Sequence, residues 1–310
     1  MADIVVAGVA NVQMACPLTG GVAGLLSSRR LPGGLDVRVS GSGFTAARTA
    51  RALGSRVALA TYVGADRLGR VVEAELRAVG LHGPGARECD EQPRALVLYD
   101  DAGGRHNTTD LRSTPRLAYP ATEFASLVDG HGCDLAVLGN IAFTRPLIPV
   151  LLERDIPFVT DVHLVDAVDS AHNRDWMATA HVLSCSHEGL PTTPGAWVRA
   201  VWSAHGTEVV VVGCGAGGAV VGVRAGRSVW RVRSSAPRGV RYTSGAGDTL
   251  VGAFAHHYAA SGDPVDALRH AVLTAGWAVG GGPDEPRHPD AARLARLRAR
   301  HGLPPVRRLA

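Results

Sequence analysis

The stretch Tyr242-Thr243-Ser244-Gly245-Ala246-Gly247-Asp248-Thr249, continued by Leu250, Val251, Phe254, Ala255 and Tyr258, decides how the rest of the chain is read. A loop of small residues opens there into an apolar stripe at helical spacing, which predicts a buried helix that starts at the glycines. Backbone N–H groups and the positive end of a helix dipole meet at such a start, which is what a phosphate or a developing phosphoryl charge needs. An anion hole is the expected consequence. A plain anion site does not require a carboxylate, so Asp248 in the first turn reads as a base that takes the proton from a hydroxyl attacking phosphorus. A helix cap is the other use of an Asp at that position.

Upstream, the apolar runs Ile4 to Ala7, Val57 to Tyr62, Leu135 to Leu138, Pro157 to Thr160 and Val209 to Val212 alternate with amphipathic segments. That order predicts a parallel sheet covered by helices. Leu68, Val71, Val72, Leu76 and Val79 mark one helix closing at Gly80, and a second runs from Thr45 to Leu53 before Gly54. Two stretches break the rhythm. Residues 12–43 hold glycine, proline and the alternation Val37-Arg38-Val39, while Arg94 to Thr109 reads as a hairpin turning between Asp100 and Gly104. Together they predict a small antiparallel flap over a site on a larger α/β body. Neither an internal repeat nor a domain-sized linker interrupts the chain, so 1–310 reads as one domain.

Composition narrows the function. With 310 residues, 46% of them hydrophobic, the chain has the apolar side chains for a large core. All 32 cationic residues are arginine, against 28 acids. Without lysine there is no Schiff-base chemistry and no phosphate loop ending in Gly-Lys-Ser/Thr. The arginines are spread along the sequence, and the local excess from Arg293 to Arg300 fits a solvated terminal helix, so no nucleic-acid partner is expected. No apolar run approaches the ~20 residues that cross a bilayer, and the opening Met1-Ala2-Asp3 has an acid where a secretion signal needs positive charge. A cytoplasmic location with no membrane partner is the expectation. The five cysteines are odd in number with no CxxC spacing, which fits reduced, separately buried thiols. Asp161 and His163, and Asn140, stand at strand ends from which side chains face an active cleft.

Gly213, Gly215 and Gly218 satisfy GxGxxG after the Val209 to Val212 run, the spacing of a dinucleotide fold. The next segment, Ala219 to Arg224, is a β pattern with no helix to supply a dipole, and the oxidoreductase reading fails on that context.

The string TSGAGDTLVGAF resembles the carboxy-terminal signature DTTGAGDxFxxGF of the ribokinase-like (PfkB) carbohydrate kinases. Ser40-Gly41-Ser42-Gly43-Phe44-Thr45-Ala46-Ala47, followed by LGSRVALATYVGADRLGR, is similar to that family's first signature, a GGxxxN loop leading through a helix and a strand to a VGxDxxG turn. The hairpin lies where the family keeps its lid, and Gly213 to Ala219 where it keeps a glycine-rich ATP loop. The resemblance implies a three-layer α/β/α ribokinase-like fold with a mostly parallel central sheet and a small β lid drawn from about 12–43 and 94–112. It also implies roles. Gly245, Ala246 and Gly247 would form the anion hole beside the base Asp248. Asn11, Gln13, Gly41, Ser42, Gly43, Thr45 and Asn140 would meet the substrate, and Gly213, Gly215, Gly218 and Ser244 the ATP. Glu188, in Cys185-Ser186-His187-Glu188, would place water around magnesium.

Departures from the pattern matter as much. Gln13 replaces an Asp and Thr45 an Asn at positions that touch substrate hydroxyls; an Asp accepts two hydrogen bonds where a Gln offers one acceptor and a donor. A plain ribose is therefore not expected, and a substrate with its own acceptor is. Cys185 replaces the Asn of the family's NxxE motif. Tyr242 replaces an Asp linked in some members to a monovalent cation, so potassium activation is not expected. The resulting expectation is an ATP- and magnesium-dependent kinase that phosphorylates a primary hydroxymethyl of a sugar or sugar-like molecule. A nucleoside kinase of the same family is the first alternative and a non-catalytic sugar or nucleotide sensor the second. Pairing of two copies through the lid completes the expectation.

Overall fold

Runs of Val, Ala, Leu and Ile become strands wherever both of their faces find apolar cover. The computed structural model describes residues 1–18, 28–32, 34–100, 104–282 and 285–309. Its elements run β1 (Asp3–Ala7), β2 (Asn11–Leu18), β3 (Asp36–Ser40), α1 (Ser42–Ala52), β4 (Arg56–Gly64), α2 (Arg67–Ala78), β5 (Ala86–Cys89), β6 (Arg94–Asp100), β7 (Arg105–Asp110), α3 (Ala121–His131), β8 (Leu135–Gly139), α4 (Ile148–Leu152) and β9 (Phe158–Asp161). They continue α5 (Arg174–Thr179), β10 (Val182–Ser186), α6 (Pro194–Ala204), β11 (Val209–Gly213), β12 (Ala219–Val223), β13 (Ser228–Val232), α7 (Ala246–Ser261), α8 (Pro264–Ala278), α9 (Ala291–His301) and β14 (Val306–Leu309).

The main sheet has ten strands in the order β14-β13-β12-β11-β10-β9-β8-β1-β4-β5. Neighbours from β11 through to β5 are parallel, and β12, β13 and β14 add an antiparallel edge. Alternate residues of β1 show how the layers form. Ile4 and Val6 join the core that holds α1, α2, α7 and α8, whereas Val5 and Ala7 join the core on the opposite face with Phe124, Leu151 and Trp176. A strand buried on both faces reads as a continuous apolar run, which is why these strands were visible in the sequence. The fold is the expected α/β/α sandwich around a mostly parallel sheet.

A second sheet of four strands, ordered β3-β2-β6-β7, is built from the two segments that break the rhythm. It departs from the antiparallel flap anticipated, because β2 and β6 pair in parallel, Val12 with Arg94 through Leu18 with Asp100. The reason is topological. β2 follows β1 and β6 follows β5, and β1 and β5 point the same way in the main sheet, so both segments enter the small sheet in the same sense. Residues 19–27, 33 and the hairpin turn 101–103 lie outside the described residues. The edge strands β5 and β14 had no signature in the sequence: Ala86-Arg87-Glu88-Cys89 and Val306-Arg307-Arg308-Leu309 each put two charged residues between two apolar ones and are only partly covered.

Helix α1 begins three residues before the Thr45 start that was expected, at Ser42, so Ser42 and Gly43 belong to its first turn rather than to a loop. Gly41 makes the bend with φ 103°, and Gly43 presses on Gly8, where an added Cβ would sit 2.5 Å from the Gly8 carbonyl carbon. Neither backbone can yield, because Gly8 leaves β1, which is held between β8 and β4 inside the sheet. Gly43→Ala is accordingly expected to destabilise the protein by about 1–3 kcal/mol, the usual cost of overpacking, read as a lower urea midpoint with unchanged slope. Among the described residues the five cysteines are free, and no helix is long and apolar enough to cross a membrane.

Candidate active site

The loop before α7 delivers what its composition promised. Gly245 is the N-cap in the left-handed region, φ 78°, a bend that a residue with a Cβ resists by roughly 1–2 kcal/mol. Ala246 N–H donates back to Thr243 O at 3.2 Å, while the amides of Gly245, Gly247 and Asp248 have no partner among the described residues. The free donors at the helix start are therefore those three, with Ala246 turned inward instead of joining them. Aligned N–H groups at a helix terminus are the ordinary seat of an anion.

Asp248 does not stand alone. Asp161 ends β9, Val162 follows, and His163 sits in the left-handed region at φ 54°. Ligand atoms of Asp161, His163 and Asp248 all lie within 4.8 Å of one another. His163 Nδ1 is 3.3 Å from Asp161 Oδ2, and the His163 amide donates to Asp161 Oδ1 at 3.0 Å. This pairing lifts the imidazole to a pKa of about 9, chiefly through the charge on Asp161 and against burial, with Asp248 adding to the rise. Burial pushes Asp161 up, yet the His163 charge and its hydrogen bonds outweigh that and hold it below the usual range. Asp248 is raised, first by burial and then by Asp161, with His163 and Arg105 pulling the other way. Two carboxylates thus flank one charged imidazole, and Asp248 is the one kept nearer to protonation.

A narrow cleft with room for about one water, ≈ 10 Å³, is lined by Ser42, Gly43, Gly139, Asp161, His163 and Asp248. A larger cavity of ≈ 420 Å³ lies on the other side of the loop. Gln13, Ser40, Thr45, Ser244, Gly245 and Ala246 line it, together with Arg38, Arg48, Arg287 and His288. The small sheet reaches this loop through three strands. Gln13 Oε1 accepts from the Ser244 hydroxyl at 3.3 Å, Tyr99 Oη accepts from the Ser244 amide at 3.2 Å, and Arg105 Nη1 donates to Thr243 O at 2.9 Å. Thr243 and Ser244, just before α7, are thereby tied to the small sheet.

Other expected contacts fall variously. Asn11 is buried on β2, and its Oδ1 has no partner, an acceptor that a ligand hydroxyl would satisfy. Asn140 instead donates from Nδ2 to Asn173 Oδ1 at 3.0 Å and lines neither cavity. Gly215 and Gly218 both have positive φ, 52° and 85°, in the tight turn between β11 and β12. Glu188 is exposed in a short turn, His187–Gly189, which His187 ties to that loop through Nδ1 and Gly213 O, 3.1 Å apart. Cys185 is buried with its thiol pKa pushed up by desolvation, and so offers no thiolate. The exposed Glu188 carboxylate is an oxygen ligand suited to a hard, hydrated cation such as magnesium.

Sequence reading missed Arg38, Arg48, Arg287 and His288. They come from segments far apart in the chain, and nothing in Glu285-Pro286-Arg287-His288 sets it apart from a surface turn.

Comparison with known proteins adds to this geometry. Residues 183–283 match the family described as pfkB family carbohydrate kinase. Among solved structures, a microbiome-derived acarbose kinase is 24% identical with a TM-score of 0.84, covering 96% of this chain and 99% of that one. The Arabidopsis thaliana ribokinase complexed with ribose and ATP is 17% identical at a TM-score of 0.77, with 96% and 99% covered. The Burkholderia thailandensis nucleoside kinase in complex with inosine is 17% identical at 0.76, with 97% and 100% covered. A search of curated proteins finds no match. The chain thus has the fold of these ribokinase-like structures, and the segment 183–283, which holds the loop before α7, matches the pfkB family of carbohydrate kinases.

Proposed function

We propose that the protein transfers the γ-phosphoryl group of ATP to a hydroxyl, a primary hydroxymethyl being the expected acceptor, on a sugar or sugar-like substrate. The observation that carries this reading is the placement of Asp248 within one helical turn of three unpartnered amides, beside a charged His163. Asp248 takes the hydroxyl proton as the oxygen attacks phosphorus, and the amides of Gly245, Gly247 and Asp248 hold the charge on the transferring group. Its raised pKa makes it a better proton acceptor than an exposed Asp. The buried, unpartnered Oδ1 of Asn11 and the Gln13 amide supply the hydrogen bonds that orient the acceptor. Glu188 would place magnesium, which neutralises phosphate charge when bound. The glycines at 213, 215 and 218 leave the backbone open to the nucleotide. The small sheet then acts as a lid that excludes water from ATP.

A nucleoside acceptor remains the second reading, favoured by the size of the cavity beyond Gln13 and Thr45. Phe44 takes no part in it, since it is fully buried under Arg48 and unavailable for stacking on a base. A panel of free sugars, sugar phosphates and nucleosides assayed for ADP release separates these readings. ADP formed only with nucleosides selects the second, and none with any acceptor selects a non-catalytic sensor.

The lid also supports pairing of two copies. Val37, Met14 and Leu96 are cross-strand neighbours on β3, β2 and β6, and each is at least 40% exposed. Such a row suits a second copy of the same surface. Met14→Arg is expected to convert a dimer to a monomer in sedimentation without changing the circular dichroism; a monomeric wild type contradicts the pairing.

A further inference from the structure

Arg287 differs from the other arginines around the larger cavity. Arg38 is ion-paired with Asp36 and Arg48 with Glu75 at 2.7 Å, while Glu285 is taken by Arg238 at 3.3 Å and Arg241 at 3.5 Å. Among the described residues Arg287 has neither a carboxylate partner nor a hydrogen bond. Its Nε and Nη2 are buried and unpartnered, and its guanidinium carbon lies 4.8 Å from the Tyr242 ring centroid. A covered guanidinium without an acceptor is costly, and the cost is greater beside other cations. Burial and the nearby Arg38 depress its pKa to about 10. His288 next to it cannot help: its Nδ1 is 2.8 Å from the Thr49 hydroxyl, and burial together with Arg48, Arg287 and Arg38 keeps it neutral, near a pKa of 3. The charge of Asp36, itself ion-paired with Arg38, opposes the lowering only in part, so among the described residues the wall formed by β3, α1 and residues 285–288 has one cation without an ion-pair partner lining ≈ 420 Å³ of space.

We propose that this cavity binds an oxyanion, a carboxylate or a phosphate group, against Arg287 and next to the Gly245–Ala246 bend. A planar guanidinium meets either group through paired N–H donors, and Tyr242 fixes its plane. The anion supplies the charge that the neighbouring carboxylates do not. It is either a group carried by the acceptor substrate or a separate small anion that steadies the loop before α7. Only the first of these rests on the kinase reading; the site itself does not.

The test is direct binding of inorganic phosphate and of citrate to the full chain without nucleotide, by calorimetry and thermal unfolding, in wild type, Arg287→Gln and Arg287→Lys. We expect at least one of the two anions to bind wild type with Kd below about 1 mM and to raise its Tm. Arg287→Gln should bind about tenfold more weakly or worse, and Arg287→Lys should fall between, while all three proteins keep the same circular dichroism. Neither anion binding to wild type, or equal binding to wild type and Arg287→Gln, overturns the site; equal binding would assign the anion to the α7 amides alone. With ATP present, competition between phosphate and a charged acceptor places the anion on the acceptor. A phosphate effect on kcat without competition makes it a separate ligand. If no acceptor is phosphorylated, the kinase reading fails while the binding result stands.

Discussion

Asp248→Asn is expected to slow turnover by about 10²–10⁴-fold, the span that a positioned general base contributes, while ATP affinity stays near that of wild type. The asparagine keeps the shape of the side chain and the start of α7, so the three open amides of the helix terminus remain. What it loses is the basic carboxylate that would take the hydroxyl proton. A fall in kcat with little change in the KM for ATP separates this from a folding defect, and a variant with full activity would falsify the assignment of the base. The acid limb of the wild-type pH–rate profile carries a second mark of the same residue. Because burial raises Asp248, that limb should lie above the range of an ordinary Asp, and it should be absent from the residual activity of the variant.

Asp161→Asn is expected to have the next largest effect, acting on His163 instead of on the base itself. The charge of Asp161 is the main reason that His163 titrates at about 9 rather than 6.5. Since the folded pKa lies above the unfolded one, the pair contributes stability that is complete below about pH 6.5 and is lost as pH rises through about 9. Removing the partner returns the imidazole toward 6.5. At pH 8 the charged fraction then falls from about nine-tenths to a few per cent, roughly thirtyfold. The ring-proton shifts of His163 in an NMR titration report this directly. The alkaline limb of the wild-type kcat profile, expected near pH 9, should move down by about two units in the variant. Asp161 is itself depressed, so its own contribution is present above the usual Asp range and lost in acid. A His163 midpoint that does not move would show that the ion pair is not what charges the ring.

The amino terminus of α7 could be read from the sequence because its causes are local. A small-residue bend, an acid in the first turn and an apolar stripe at 3.6 spacing each need only a few adjacent positions. The strands of the parallel sheet were legible for the same reason, being buried on both faces. The convergence of Asp161 and His163 on Asp248 was not, since it depends on β9 lying beside β8 near the centre of the sheet. The sequence placed both residues at a strand end but not against the α7 start. The parallel pairing of β2 and β6 escaped for a similar reason: the hairpin of β6 and β7 is a local signal, whereas its partner lies some eighty residues away. Arg287 was invisible. Its distinction is that it has no hydrogen-bond or ion-pair partner among the described residues, and partners are set by packing alone.

The central claim is that the α7 amides and Asp248 pass phosphorus from ATP to an alcohol. A single-turnover experiment with γ-labelled ATP, an excess of enzyme and the acceptor panel tests it most directly, with the products resolved by ³¹P NMR. The predicted product is a phosphomonoester on a hydroxymethyl of one acceptor class, formed in step with ADP. Label that stays on ATP with every acceptor, or that appears only as inorganic phosphate, would contradict it.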